Sequence, residues 1–185
     1  MESIRIDTER LILFTANEEN CELILSYLAS NRNFFTPWVP AMPDKYYTYD
    51  YQMRLIREDK SLLRYEHKIK FYIIQKNQPY HIIGDFAYSN IIKGVFKSCF
   101  LGYKQDEKSC GRGFMHEAIS KANQYIFEDL KLNRIEANII PRNKSSIDLI
   151  QKLGFVQEGY SKKYLKINHV WEDHLRFAKL NSLDV

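Results

Sequence analysis

The chain has 185 residues, of which 45% are hydrophobic and 14% aromatic, enough apolar material for one continuous core and a single domain over residues 1–185. Lys and Arg number 27 against 23 Asp and Glu, and the formal charge of +4 is spread along the sequence. Without a dense basic stripe or a reading motif, no direct nucleic-acid partner is expected.

Cys21, Cys99 and Cys110 are odd in number and lack paired short spacings, which argues against a disulfide framework and against a metal site. The opening Met1-Glu2-Ser3-Ile4-Arg5-Ile6-Asp7 is charged where a secretory signal is apolar. No apolar run approaches the ~20 residues of a bilayer-spanning helix, so a cytoplasmic chain without a membrane partner is expected.

Arg10 to Phe14 reads as a short buried strand, and Asn17 with Glu18 and Glu19 reads as a helix start, followed by an apolar face of Ile24, Tyr27 and Leu28. Between Asn33 and Pro43, the residues Pro37, Trp38, Pro40 and Pro43 predict an ordered aromatic loop without regular helix. A second helix is expected from about Tyr47 to Arg57. From Lys68 the period becomes alternating, and Ile69 to Ile73, Ile82 to Tyr88 and Ser98 to Tyr103 predict an antiparallel meander with Gly94 at its last turn. Met115, Ala118, Ile119, Ala122, Ile126 and Leu130 then mark one face of a long helix. Arg134 to Ile140 reads as a strand ending at Pro141. A short helix should follow from Asn143 to Leu153, stopped by a left-handed Gly154 that folds Phe155 back onto Ile150. Val156 to Ile167 and Val170 to Leu180 close the chain as a hairpin turning at Asn168-His169, residues that tolerate positive φ.

Lys108-Ser109-Cys110-Gly111-Arg112-Gly113 lies where a strand hands over to the long helix. The first turn of a helix has unpaired N–H groups and the positive end of the dipole, so glycines there let a phosphate approach the backbone. Taken alone, the two glycines fit a plain strand-to-helix turn equally well. A P-loop would need Lys then Ser or Thr where Phe114 and Met115 stand, and a dinucleotide-binding loop a small residue at His116.

The segment resembles the Gln/Arg-x-x-Gly-x-Gly/Ala loop of the GNAT acetyltransferases, with Lys108 in place of the usual Gln or Arg and Cys110 where RimJ-like sequences usually have Gln. Thr8 to Leu13, Pro37 to Pro40, Ile83-Gly84-Asp85, Leu101-Gly102-Tyr103, Arg134 to Asn138, Asn143 to Ser146, Leu153-Gly154-Phe155, Glu158-Gly159 and Trp171 to His174 are similar, in order and spacing, to RimJ/RimL-type sequences. The resemblance implies an α/β (α+β) fold: a mixed, mostly antiparallel sheet of about seven strands with about four helices, and a V-shaped splay between two central parallel strands. It implies acetyl-CoA as co-substrate and transfer of acetyl to a primary amine, foremost a protein N-terminus such as that of a ribosomal protein. Small-molecule amines are the alternative acceptors, and a non-catalytic coenzyme A sensor is the alternative function. A homodimer is compatible with the family.

By the same resemblance, Leu101, Tyr103 and Gln105 would flank the pantetheine arm. Lys108, Cys110, Gly111, Arg112 and Gly113, with Phe114 and Met115 opening the helix, would receive the pyrophosphate. Asn138, Asn143 and Ser145 would add polar contacts, and Asn143 also suits a helix N-cap. Ser146 is either an ordinary first-turn serine or the group that protonates the departing thiolate, because the tyrosine position of other GNAT enzymes is occupied by Ile150. For the base, Glu158, Glu172, Asp85 and a water chain stay open. Trp171, Asp173 and His174 read alternatively as an interior hydrogen-bonded cluster. Cys110, flanked by Lys108 and Arg112 near a helix start, is expected to have a lowered thiol pKa, which makes a cysteine nucleophile the rival chemistry.

Overall fold

A computed structural model describes residues 3–182, so residues 1, 2 and 183–185 of the expected domain lie outside the described residues. The elements in chain order are β1 (Arg5–Asp7), β2 (Leu11–Phe14), α1 (Cys21–Ser30), α2 (Arg32–Phe35), α3 (Tyr49–Arg64), β3 (Ile69–Gln75), β4 (Gln78–Ile92) and β5 (Ser98–Gln105). They continue with α4 (Phe114–Glu128), β6 (Arg134–Ile139), α5 (Lys144–Lys152), β7 (Val156–Ile167) and β8 (Val170–Leu180). The strands form one sheet of eight, ordered β1-β2-β3-β4-β5-β6-β8-β7. Every neighbouring pair is antiparallel except β5 with β6, which α4 joins as a crossover.

The expected sheet of about seven strands is present, with eight among the described residues; β1, three residues long with a single apolar side chain, is held by its pairing with β2 and not by its own periodicity. Two expectations need correction. The Asn33–Pro43 stretch is not wholly irregular, since Phe34 and Phe35 complete one helical turn before Pro37 can interrupt it. The second helix runs on to Arg64, seven residues beyond Arg57. Its charged Arg57-Glu58-Asp59-Lys60 segment is a solvated face that pairs with Glu18 and Lys68, while Ile56 and Leu63 stay buried beneath it.

Two apolar layers sandwich the sheet. On one face Cys21, Ile24, Tyr27 and Leu28 of α1 and Ile56 of α3 pack on Tyr72 and Ile82. On the other, Met115, Ala118, Ile119, Ala122 and Ile126 of α4, with Ile150 of α5, pack on Phe71, Ile73, Phe86 and Ile135. Truncating a fully buried Ile such as Ile119 in this layer to Ala should cost about 2–5 kcal/mol.

β4 carries one irregularity and, on its other edge, part of the seat of the loop that leaves β5. Ile73 faces Gly84 but Ile74 faces Ile82, so Ile83 is an extra residue, a bulge, that sends Ile82 to the α1 face and Ile83 to the α4 face. On the opposite edge, where the pairing with β5 keeps its register, the Ile83 carbonyl accepts the Asp106 amide at 3.0 Å. Next to it, Gly84 lets α4 approach closely: a Cβ there would lie 3.0 Å from Met115 Cε and 3.1 Å from the Lys104 carbonyl.

Several local readings hold. Gly94 (φ +72°) makes the β4–β5 turn, and Asn168 (φ +46°) and His169 (φ +71°) turn the β7–β8 hairpin. Gly154 (φ +82°) ends α5, with the Phe155 amide donating to the Ile150 carbonyl at 3.1 Å.

Candidate active site

The parallel pairing of β5 with β6 lasts for Ser98, Cys99 and Phe100 opposite Arg134, Ile135 and Glu136, and then stops. β5 stays paired to β4 as far as Gln105, and β6 stays paired to β8 as far as Ile139. The two central strands therefore splay into a V, leaving backbone groups of residues 101–105 and 137–139 facing a gap instead of each other. A cavity of about 980 Å³ occupies this gap.

Leu101, Tyr103, Gln105, Cys110, Gly111, Gly113 and Met115 line the cavity from the β5–α4 side. Asn138, Asn143, Ser145 and Ser146 line it from the β6–α5 side. Lys108, Arg112 and Phe114 do not line it. Lys108 is exposed, and Phe114 is buried beneath the guanidinium groups of Arg10 and Arg112, each 4.7 Å from its ring centre.

The loop between β5 and α4 is fixed at its base and open at its tip. Asp106 is buried; its Oδ1 accepts from Asn31 Nδ2 at 3.0 Å and its Oδ2 from Ser109 Oγ at 2.9 Å. The Glu107 amide donates to Asn31 Oδ1 at 3.0 Å, so the end of α1 holds the loop entrance. At the tip, Gly111 (φ +75°) and Gly113 (φ +77°) are left-handed, and nothing lies within 4 Å of a Cβ placed on Gly111. Gly113 caps α4 without a side-chain hydrogen bond, so the first amides of the helix point outward uncapped. An anion fits this arrangement by geometry and by the sign of the dipole.

Sequence marks Arg10 only as the start of a strand, yet it lines the cavity at the loop. Its Nε donates to Glu117 Oε2 at 2.6 Å and its Nη1 to the Arg112 carbonyl at 3.2 Å. Burial raises the Glu117 carboxyl pKa, but hydrogen bonds from Thr8 Oγ1, the Arg10 amide and the Arg10 guanidinium outweigh it and hold the group below its usual range. The acid in the first turn of α4 is thereby neutralised beside the helix start where an anion fits. Only the Thr8-Glu9-Arg10 motif hints at this, since the contact spans 107 residues of sequence.

Asn143 Oδ1 accepts the Ser146 amide at 3.2 Å, the expected N-cap, and Ser145 Oγ at 3.1 Å. The Ser146 hydroxyl lies 2.6 Å from the Tyr103 phenol, which is also 3.0 Å from the Ser146 carbonyl. Burial pushes the Tyr103 phenol up to about 12, against an opposing hydrogen bond from Ser146. Asn138 donates through Nδ2 to the Tyr164 hydroxyl at 3.0 Å, while its buried Oδ1 has no partner among the described residues.

None of the three carboxylates that could serve as a base lines the cavity. Asp85 is buried with Tyr27 Oη at 3.0 Å and Lys104 Nζ at 3.1 Å. Glu158 is paired with Arg134, and Glu172 accepts from Arg142 at 2.7 Å. The interior cluster on β8 also resolves differently: Trp171 is exposed, and Asp173 bonds Tyr160 and the Lys163 amide at the surface. His174 alone points inward, reaching the cavity with its ring 5.1 Å from that of Tyr164. The far end of the cavity is walled by Phe34, Phe35, Trp38, Val39, Leu165 and Ile167. Arg142 ties its rim, donating to the Pro37 carbonyl at 3.0 Å with its guanidinium 4.8 Å from the Trp38 ring centre.

The thiol of Cys110 is pushed up, by burial and then by Asp106 and Glu107, contrary to the lowering expected from Lys108 and Arg112. The acidic start of the loop acts on the sulfur, which donates to the Asp106 carbonyl at 3.4 Å, and this removes the electrostatic argument for a cysteine nucleophile. Among the described residues no cluster of His, Cys, Asp or Glu could hold a metal ion, and no helix is long and apolar enough to cross a membrane.

A family profile for an acetyltransferase (GNAT) domain matches residues 10–156. The chain is 35% identical over 180 residues, 95% of its length and 90% of the relative's, to [ribosomal protein uS5]-alanine N-acetyltransferase of Escherichia coli (strain K12). The crystal structure of ribosomal-protein-S5-alanine acetyltransferase from Vibrio fischeri superimposes with a TM-score of 0.92 at 31% identity, covering 97% of both chains. Mycobacterium smegmatis RimJ, solved with CoA-disulfide, shares the fold at a TM-score of 0.87 and 21% identity, covering 94% of this chain and 83% of its own.

Proposed function

The chain belongs to the GNAT acetyltransferase family and is an acetyl-CoA-dependent N-acetyltransferase, and from that premise we propose that its acceptor is the α-amino group of a protein N-terminus, such as that of a ribosomal protein. The observation that carries the reading is the V between β5 and β6, open at one end to uncapped helix amides and at the other to an aromatic recess.

In this reading the amides around Gly111 and Gly113 grip the coenzyme's diphosphate, and the free backbone edge of residues 101–105 pairs with the pantetheine arm as if with another strand. The amine enters from the recess and attacks the thioester carbonyl directly, so the protein acts by alignment and by stabilising developing charge. Asn138 Oδ1 is available to hydrogen-bond the incoming amine, and Ser146 protonates the leaving sulfur. No base is assigned among the side chains; water carries the amine's proton outward.

The six residues walling the recess are apolar or aromatic, and the two carboxylates that line the cavity, Glu117 and Asp148, belong to α4 and α5. This supports an N-terminal amine over a polyamine, whose several cations would need acidic partners. The test is release of coenzyme A thiol from acetyl-CoA with an alanine-starting peptide, spermidine and free amino acids. Turnover is expected with the peptide at the highest kcat/KM. A preference for spermidine or an amino acid would move the acceptor to small molecules, and binding of acetyl-CoA with no turnover of any amine would make the domain a coenzyme A sensor.

A further inference from the structure

Tyr103 reaches across the V. It stands on β5, and its phenol meets Ser146 in the first turn of α5, on the other arm. Its oxygen is within reach of two acceptors on the same residue, the Ser146 hydroxyl at 2.6 Å and the Ser146 carbonyl at 3.0 Å.

Each hydroxyl has one proton, so these distances allow two arrangements. If the phenol donates to the carbonyl, the short contact between the two hydroxyl oxygens requires Ser146 to donate to the phenol, and the serine proton is turned away from the substrate. If the phenol donates to Ser146 Oγ, the serine proton is free to point elsewhere in the cavity. Only the second arrangement lets Ser146 act as an acid.

We propose that Tyr103 is the positioning residue that makes Ser146 an effective proton donor, and that its own proton follows the serine's during breakdown of the tetrahedral intermediate. The C–S bond breaks with its electron pair going to sulfur. The Ser146 proton moves to sulfur, the Tyr103 proton moves to Ser146 Oγ, and solvent reprotonates the phenolate. The acceptor ammonium has already released one proton to water, and the attacking nitrogen gives up a second as the C–N bond forms. With one proton returned to the phenolate, the reaction yields acetylated amine, free thiol and one net proton. The phenol from β5 thus fills a role that Ile150 on α5 cannot. Burial keeps this phenol protonated through the neutral range, as the relay requires.

The inference rests on the N-acetyltransferase reading and on Ser146 as its acid. The test is the single-turnover rate of thiol release from acetyl-CoA by the full chain, with whichever amine of the panel is fastest, in mixtures of water and deuterium oxide. For the wild type, the rate should bow downward with deuterium fraction, since two protons move together. Tyr103→Phe should lower the rate by about tenfold or more, the low end of general-acid effects, and make the plot linear with unchanged affinity for acetyl-CoA. Ser146→Ala should lower it as well, and adding Tyr103→Phe to Ser146→Ala should cost nothing further.

A linear plot for the wild type, a Tyr103→Phe rate within about twofold of wild type, or additive losses in the double variant would each overturn the proposal. Should Tyr103→Phe not fold, the wild-type plot decides by itself. A wild type inactive on every amine overturns the transferase reading and this inference with it, whereas an active wild type indifferent to Tyr103→Phe overturns this inference alone.

Discussion

Replacing Gly111 and Gly113 by alanine tests the anion cradle directly. Both residues have φ near +75°, and a Cβ would meet nothing within 4 Å at Gly111 and only Arg10 Nη2 at 3.6 Å at Gly113, so the expected cost is conformational and not steric. Holding an L-residue in the left-handed region costs roughly 1–2 kcal/mol, which the loop can escape by leaving that conformation. Recovering the cradle to bind a diphosphate then lowers apparent affinity by about 5–30-fold per substitution. Gly94 is the internal control: its φ is +72°, it too has open space around a Cβ, and it turns β4 into β5 away from the cavity. Calorimetric titration with acetyl-CoA, alongside thermal unfolding, should show all three alanine variants losing similar stability, and only those at 111 and 113 losing affinity. If Gly111→Ala and Gly113→Ala bind acetyl-CoA as wild type does, the cradle is not where the diphosphate sits; if Gly94→Ala weakens binding equally, the effect is global and the reasoning fails.

Other expectations can be checked on the same preparations. Glu117 has a depressed folded pKa, so its stabilising contribution is complete above its ordinary value of 4.5 and is lost as pH falls through the lower folded value. Glu117→Gln should therefore lower the melting temperature at neutral pH and flatten its fall on acidification; an unchanged acid limb would refute the assignment. Asp106→Ala strands the Asn31 amide and the Ser109 hydroxyl in the interior, a loss of about 1–3 kcal/mol that should appear in both unfolding and acetyl-CoA affinity. Asn138→Ala should raise KM for the acceptor and leave KM for acetyl-CoA unchanged, and the opposite pattern would return Asn138 to the coenzyme side. Cys110→Ala should retain turnover within about twofold, because its thiol is electrostatically discouraged from ionising; abolished turnover with intact binding would revive the cysteine nucleophile.

What the sequence made legible was whatever depends on near neighbours. The 3.6-residue recurrence through Ile119 and Ile126 announces α4, the Asn143 cap announces α5, and Asn168-His169 announces a turn, because each signal lies within a few residues of what it specifies. The site was half legible. Gly111 and Gly113 declare a left-handed loop, but Arg10 joins Glu117, and Tyr103 joins Ser146, through folding that brings separate elements together. The same distance dependence explains the rest. β1 exists only through its partner, α3 outlasts its charged stretch because Leu63 is buried from outside the helix, and the sulfur of Cys110 feels Asp106 and Glu107 more than the cations beside it.

The bond from the Asp106 amide to the Ile83 carbonyl implies that the motif after β5 is not portable. Six residues copied into another strand-to-helix junction would bring the glycines but not the neighbouring strand whose carbonyl receives the Asp106 amide. An engineer seeking to transplant this coenzyme grip would have to carry β4 as well, and a one-residue deletion beside Ile83 should unseat the loop while every letter of the loop stays intact.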